Sequence, residues 1–330
     1  MKKIALSGIK PTGALHIGNY LGMIKPALGL AQTYRALYFI ADYHALTTVR
    51  DQKSMNAQIY GVAASLLALG LDTEKITFFR QADVPEIFEL TWILSCFTPK
   101  GLLNRAHAYK AAMEANLAAG KQPDADINAG LYNYPTLMAA DILLYGSHAV
   151  PVGQDQRQHV EIARDIAAAM NHQYGKMFVL PEAVIQDEVM TIPGLDGRKM
   201  SKNYNNTIPL FDTPKRIRKQ VMRIVTDSKR PEESKNPDDC NVFAIYKYFA
   251  SPEAIAEKRE QYLKGGLAYA DIKQELFEVL DDRFGGRYDT YRELVEDHAR
   301  LDRILAEGAE KARSMAIPIM GKVRRKIGMK

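Results

Sequence analysis

Short apolar runs, separated by stretches of helical periodicity, limit what this chain can fold into more than any other feature of it. Lys3 to Leu6, Ala36 to Ala41 (ALYFIA) and Ile76 to Phe79 each read as a buried strand. Between and after them helical patterns run from Ile17 to Thr33, from about Ser54 to Leu69, and from Pro85 to Cys96 with proline in the first turn. His148 to Val152 reads as a further strand, followed by a helix from about Gln154 to Met170. Strands that alternate with helices pair in parallel, because each crossover returns the chain to the same edge of the sheet. The expected fold class is therefore α/β, a Rossmann-like doubly wound parallel sheet. The ligand crevice of such a sheet lies beyond the carboxyl ends of its strands. Three segments should meet there: the turn from Gly8 to His16, Asp42 to His44, and Gly153 to Gln156.

From Thr213 onward strand signals vanish. Helical patterns with charged faces take over at Pro214 to Ile224, Cys240 to Phe249, Pro252 to Leu263, Tyr269 to Phe284 and Tyr291 to Lys311. The expected organisation is a catalytic unit at 1–205 and an all-helical unit at 206–330. They are hinged near the loop that precedes residue 206, and the last helix is free to pack back on the first unit. A length of 330 residues suits two such units at roughly 150 residues each. The net charge of +5 permits a nucleic-acid partner without demonstrating one. Two cysteines, Cys96 and Cys240, are too few for a zinc site or a disulfide framework and suit a reducing cytosol. The opening MKKIALSGIKP lacks a signal-peptide core, and no stretch approaches ~20 uninterrupted apolar residues. The expectation is a soluble, cytoplasmic protein with no membrane partner.

Two stretches carry chemistry. Leu6 to Asn19, LSGIKPTGALHIGN, joins a strand to a helix through a turn containing Gly8, Pro11 and Gly13. Such a junction presents free backbone N–H groups and the positive end of the helix dipole to a phosphate, with His16 at its mouth. Far downstream, Gly194 to Asn206, GLDGRKMSKNYNN, sets Arg198, Lys199 and Lys202 within five positions of a glycine- and asparagine-rich loop. Each stretch alone reads equally well as ordinary structure, a tight turn in one case and a solvated loop in the other.

Taken together, HIGN at 16–19 and KMSK at 199–202 resemble the two signatures of class I aminoacyl-tRNA synthetases. YPTLMAADILLY at 134–145 and VPVGQDQRQH at 150–159 resemble the bacterial tryptophanyl branch of that family. The resemblance implies a ligase that activates L-tryptophan with ATP to an aminoacyl-adenylate and pyrophosphate, then esterifies the terminal adenosine of tRNA(Trp). The first step needs no protein nucleophile, only positioning and neutralisation of phosphate charge. By resemblance His16, Lys199 and Lys202 are catalytic. ATP is held by Lys10, Pro11, Thr12, Gly18 and Asn19, by Gly153, Gln154 and Asp155, by the backbone near Val189, and by Lys199, Met200, Ser201, Lys202 and Asn203 of the closing loop. Closure keeps water from a hydrolysable adenylate. Mg2+ accompanies ATP, held by phosphates and water rather than by a dedicated metal site.

The resemblance also assigns the amino-acid pocket. Asp141 accepts the indole N–H, Tyr134 and Gln156 serve the polar end of tryptophan, and Met138, Val150 and Val152 line its rings, with His44 at the rim. A carboxylate within LMAADILLY is costly unless something donates to it, and an indole N–H does so. Helices after Thr213 are expected to read the anticodon and the protein to be a homodimer. The basic tail KVRRK at 322–326 reads equally as a solvated helix end or an RNA contact.

The competing readings are a tyrosyl-tRNA synthetase and a tRNA-independent amino-acid adenylating enzyme. The tyrosine enzymes usually place Gln where Met138 stands, and an apolar Met favours an indole. A site that demands a donor can discriminate by roughly 10⁴ to 10⁵ without editing. The 183 residues from His16 to Lys199 leave no room for a separate editing domain. An adenylating enzyme would need neither KMSK nor the helical unit. The chain departs from the family pattern at Lys10, where Gln is common, at Ala112, where a second Lys follows Lys110, and at Asn203, where Ser is frequent. Lys10 is expected to supply the charge missing at Ala112.

Overall fold

The structure, a computed structural model, describes residues 2–185 and 192–329. Five strands form one sheet: β1 (Ile4–Ile9), β2 (Arg35–Ile40), β3 (Ile76–Arg80), β4 (Ala149–Pro151) and β5 (Glu182–Val184). Every pairing is parallel, and the order is β3-β2-β1-β4-β5. The chain winds outward from β1 to β3, crosses back, and winds outward again on the other side, so the order reverses between β1 and β4. That is the doubly wound, Rossmann-like arrangement, with its crevice at the carboxyl end of β1. Gly8 has no room for a side chain there, since a Cβ would stand 2.6 Å from the ring of Phe39.

β1 runs three residues past the expected Leu6. The helical segment after it passes from Ile17–Asn19 through a π-type stretch, Tyr20–Ile24, to Lys25–Leu30. The long tract between Phe97 and Gly146, in which periodicity defines no element boundaries, holds helices Lys100–Leu103, His107–Ala118 and Ala129–Leu143. The last carries Pro135 in its interior. The final helices also differ from expectation. A break is expected after Phe284, yet Tyr269–Glu296 continues through Gly285 and Gly286, and the chain turns only at Asp297, whose carboxylate caps His298–Lys326. Burial of Leu276, Leu280, Phe284 and Leu294 along one side holds the glycine pair helical against its low propensity.

Two apolar clusters cover the two faces of the sheet. One joins Ile9, Tyr38 and Ile40 to helical residues of 206–330, including Val242, Phe243, Leu276 and Phe284; Tyr20 meets Phe284 edge to face at 5.0 Å. The other joins Leu6, Phe39 and Phe79 to Leu143, Val150, Ile166 and the end of the last helix. Helix His298–Lys326 packs directly on β3. Gly308 permits that approach, because a Cβ at this position would lie 1.6 Å from the carbonyl oxygen of Phe78. Arg313 pairs with Glu86 at 2.7 Å and Arg324 with Glu89, so the same helix is also tied to Glu86–Phe97. Among the described residues no helix is long and apolar enough to cross a membrane.

Candidate active site

The turn after β1 and the KMSK hairpin meet. Leu15 and Ile17 exchange backbone hydrogen bonds with Leu210 and Ile208 at 2.9 and 3.1 Å, and His16 lies opposite Pro209 in an antiparallel bridge. Lys202 crosses to the turn, its Nζ donating to the carbonyls of Thr12 at 2.7 Å and Gly13 at 2.9 Å. Gly13 adopts a φ of 87°, the left-handed conformation that lets the turn present those carbonyls. Met200 is buried beneath Gly18, while Lys199 extends from the exposed side of the hairpin. The signatures therefore share one mouth, with Lys202 docked in it and Lys199 at its edge.

His16 caps the helix start, and Asn19 accepts its backbone N–H at 3.1 Å. Its ring is buried, with Nδ1 unpartnered. Burial, and then the nearby Lys202, push the imidazole pKa down to about 4, so it stands neutral at neutral pH with an N–H to donate. Lys202 as a whole residue is exposed, but desolvation of its ammonium lowers its pKa. Lys10 is half-buried, also lowered by desolvation, and donates to Thr47 Oγ1 at 2.9 Å. Pro11 is buried, and Thr12 and Asn19 are half-buried around the same turn.

The hairpin is stapled by a residue that motif reading passed over. Asn206, 2% exposed, donates to Asp196 at 2.6 Å and to the Lys199 carbonyl at 3.2 Å, and accepts the Ser201 N–H at 2.8 Å. Gly194 must be glycine, since a Cβ would sit 2.3 Å from the Asn206 amide. Asn203 and Tyr204 follow in a short 3₁₀ turn capped by Ser201, and Arg198 stacks over Tyr204 at 4.4 Å.

Asp141 is 1% exposed on helix Ala129–Leu143. Its neighbours differ from expectation. His44 does not lie at the rim: its Nε2 stands 2.9 Å from Asp141 Oδ2, with the ring nearly enclosed. Gln81, wholly buried and absent from the expected set, donates from Nε2 to Oδ1 at 2.9 Å and Oδ2 at 3.0 Å. The buried carboxylate thus already has donors within the chain, which corrects the premise that a ligand must supply them. Burial raises its pKa, while His44 and Gln81 act against that rise. Asp42, beside them, accepts from the backbone N–H groups of Tyr43 at 2.9 Å and Ala82 at 3.1 Å, and burial foremost pushes it up to about 6. Asp42 and Gln81 each follow the last residue or two of an apolar strand, where the crevice of a parallel sheet lies. That position was the available signal for Gln81.

Tyr134 is half-buried, its hydroxyl hydrogen-bonded to the ring of His159 and its own ring edge-on to His44 at 5.9 Å. Tyr43, His44, Phe88, Tyr134 and Leu137 line a cavity of about 320 Å³. Val150 is buried, and Met138 and Val152 are partly buried against the same cluster. Gly153 precedes a 3₁₀ turn, Gln154–Gln156, that holds Gln154, Asp155 and Gln156 beyond the carboxyl end of β4. Val189 lies outside the described residues.

A parallel sheet with a phosphate-type turn at its switch point, faced by a lysine-bearing hairpin, is an arrangement suited to binding nucleotide phosphates. The family model "tRNA synthetases class I (W and Y)" matches residues 2–285, and the chain belongs to that family. Within it the resemblance is to the tryptophan enzymes. A tryptophan–tRNA ligase of Pseudomonas aeruginosa is 49% identical over 98% of this chain and 73% of its own length. One from Neisseria meningitidis is 46% identical over 100% of this chain and 98% of its own. The crystal structure of tryptophanyl-tRNA synthetase from Campylobacter jejuni, complexed with ADP and tryptophan, superposes with a TM-score of 0.91 at 44% identity, covering 99% of this chain and all of that one. A tyrosyl-tRNA synthetase from Aeropyrum pernix, at 20% identity and a TM-score of 0.66, shares the fold.

Proposed function

We propose that the protein is a tryptophan–tRNA ligase. It activates L-tryptophan with MgATP to tryptophanyl-adenylate and pyrophosphate, then transfers tryptophan to its tRNA. The observation that carries the reading is the docking of Lys202 onto the turn that ends in His16, which joins two stretches 186 residues apart at one phosphate mouth. The tryptophan carboxylate attacks the α-phosphorus in line; a carboxylate oxygen–phosphorus bond forms as the bond to the pyrophosphate oxygen breaks. Neutral His16 donates a hydrogen bond to a phosphate oxygen. Lys202 exchanges the Thr12 and Gly13 carbonyls for pyrophosphate oxygens, and Lys199 swings in beside it. Lys10, Pro11, Thr12, Gly18 and Asn19 hold the phosphates. Gly153, Gln154, Asp155 and the backbone near Val189 serve the rest of the nucleotide, and Met200, Ser201 and Asn203 shape the closing loop. Mg2+ enters with ATP as part of the substrate.

Asp141 takes the indole N–H, with Met138, Val150 and Val152 against the rings and Tyr134 and Gln156 at the polar end. Residues 1–205 act as the catalytic unit. Residues 206–330 carry the anticodon contacts, and the protein works in the cytoplasm as a homodimer.

Exchange of labelled pyrophosphate into ATP, measured with each amino acid in turn and followed by charging of total tRNA, tests this. Tryptophan alone should stimulate exchange and be esterified. Stimulation by tyrosine alone overturns the specificity, and exchange without charging moves the protein to the adenylating enzymes.

A further inference from the structure

Asp141 is hydrogen-bonded on three sides of its acceptor capacity. An ionised carboxylate has about four lone-pair positions on two oxygens. Gln81 Nε2, nearly equidistant from Oδ1 and Oδ2 at 2.9 and 3.0 Å, takes the inner position on both. His44 Nε2 takes the outer position on Oδ2 at 2.9 Å. One position is left, on Oδ1. The amide of Gln81 cannot turn over without loss, because its Oε1 accepts the Tyr43 backbone N–H at 3.2 Å. That N–H is itself anchored, since Asp42 accepts it at 2.9 Å and bonds Ala82 across to the turn that carries Gln81.

We infer that Gln81 is the specificity-determining positioning residue of the amino-acid pocket, fixing Asp141 so that one acceptor position, on Oδ1, is left for a ligand. The inference rests on the tryptophan reading above. An indole N–H is a donor with no lone pair to satisfy, so one acceptor completes it. A ring of the same shape that has no N–H leaves that acceptor unmet. An unmet oxygen in a buried site costs binding, and this is the form of discrimination that polar sites make large.

The test compares kcat/KM in pyrophosphate exchange for tryptophan, for tyrosine, and for β-(3-benzothienyl)alanine, which has the shape of tryptophan without the N–H. The unaltered protein should prefer tryptophan strongly over both. In Gln81→Met, of similar volume but with no donor, the preference over the benzothienyl analogue should fall by about tenfold or more, with the KM for ATP unchanged. Gln81→Asn, whose amide is one methylene short, should do the same. A residue that merely supports the fold would weaken all three amino acids alike, so ratios within about twofold of the unaltered protein in either variant overturn the inference. Should neither variant fold, a structure of the unaltered protein with tryptophan decides it. The expected result has the indole nitrogen on Asp141 Oδ1 and Gln81 still across both oxygens; Gln81 turned away, or the nitrogen bonded elsewhere, refutes it. If the unaltered protein shows no tryptophan-dependent exchange at all, the functional reading fails instead, independently of Gln81.

Discussion

The proposed phosphate mouth and the proposed amino-acid pocket lie on one edge of one sheet, yet they are held in opposite ways. At the mouth, cations ride on an exposed hairpin, and Lys202 is kept in place by two backbone carbonyls that a phosphate can replace. In the pocket, Asp141 and Gln81 are almost wholly enclosed and bonded to each other and to segments that end strands β2 and β3. Charge that develops and departs during phosphoryl transfer calls for groups that can follow it. A ring that must be recognised before reaction calls for groups that stay put, so that binding costs no reorganisation.

The largest separation of the two regions should come from Lys202→Ala. Loss of one charge-stabilising group at such a site costs about 10² to 10³ in rate. Pyrophosphate exchange should fall by that factor while the KM for tryptophan holds within a few-fold. An equal loss in tryptophan binding would mean that the mouth and the pocket are one mechanical unit. Asp141→Asn should do the converse. It places an amide where Gln81 and His44 donate, so kcat/KM for tryptophan should drop by roughly 10², with ATP binding, followed by equilibrium titration, little changed.

The same contrast explains what could be read from the sequence. The sheet was legible because its strands are near-continuous apolar runs spaced by helices, and the mouth because its backbone demands, at Gly13 and Gly194, leave glycines in the stretches that lead into both signatures. The enclosing partners were not. Gln81 lies in RQAD and Asn206 in NYNN, each a common polar residue whose value comes from burial; strand-end position alone marks Gln81, whose partner is 60 residues away, and nothing local singles out Asn206 among its neighbouring asparagines. His44 was found but misplaced at the rim, because nothing local says that its ring turns inward to a residue 97 positions away. The last helices were mispositioned for a related reason: Gly285 and Gly286 break the local pattern, and only burial of their neighbours along Tyr269–Glu296 overrides it.

If the hairpin works by being mobile within limits, its staple should set those limits. Asn206→Ala removes bonds to Asp196, Lys199 and Ser201 from a buried position. Exchange should slow by about tenfold through a looser closed state, with tryptophan KM unaffected and the loop more readily cut by protease. Unchanged kcat would show that Asn206 serves folding alone. Lys10→Gln should raise the KM for ATP several-fold if Lys10 makes good the charge absent at Ala112; an unaltered KM for ATP would leave Lys10 as a partner of Thr47 only.

Proton linkage offers the finest comparison, because the two regions push stability in opposite directions. His16 has a folded pKa of about 4 against an ordinary 6.5, so its contribution is present above 6.5 and lost as pH falls through about 4. Asp42 has a folded pKa of about 6 against 3.8, so its contribution is complete below 3.8 and lost as pH rises through about 6. The second loss is bounded by about 3 kcal/mol, two units at about 1.4 kcal/mol each. Asp42→Asn keeps an oxygen for the Tyr43 and Ala82 N–H groups and has no charge to bury. Its melting temperature should match the unaltered protein near pH 4 and exceed it by a few °C near pH 7.5. A difference that does not vary with pH would assign the effect to the hydrogen bonds. A variant less stable near pH 7.5 than the unaltered protein would mean that the ionised carboxylate holds the Asp42–Ala82 link more tightly than burial penalises it, and the pocket would then be organised by charge after all, like the mouth.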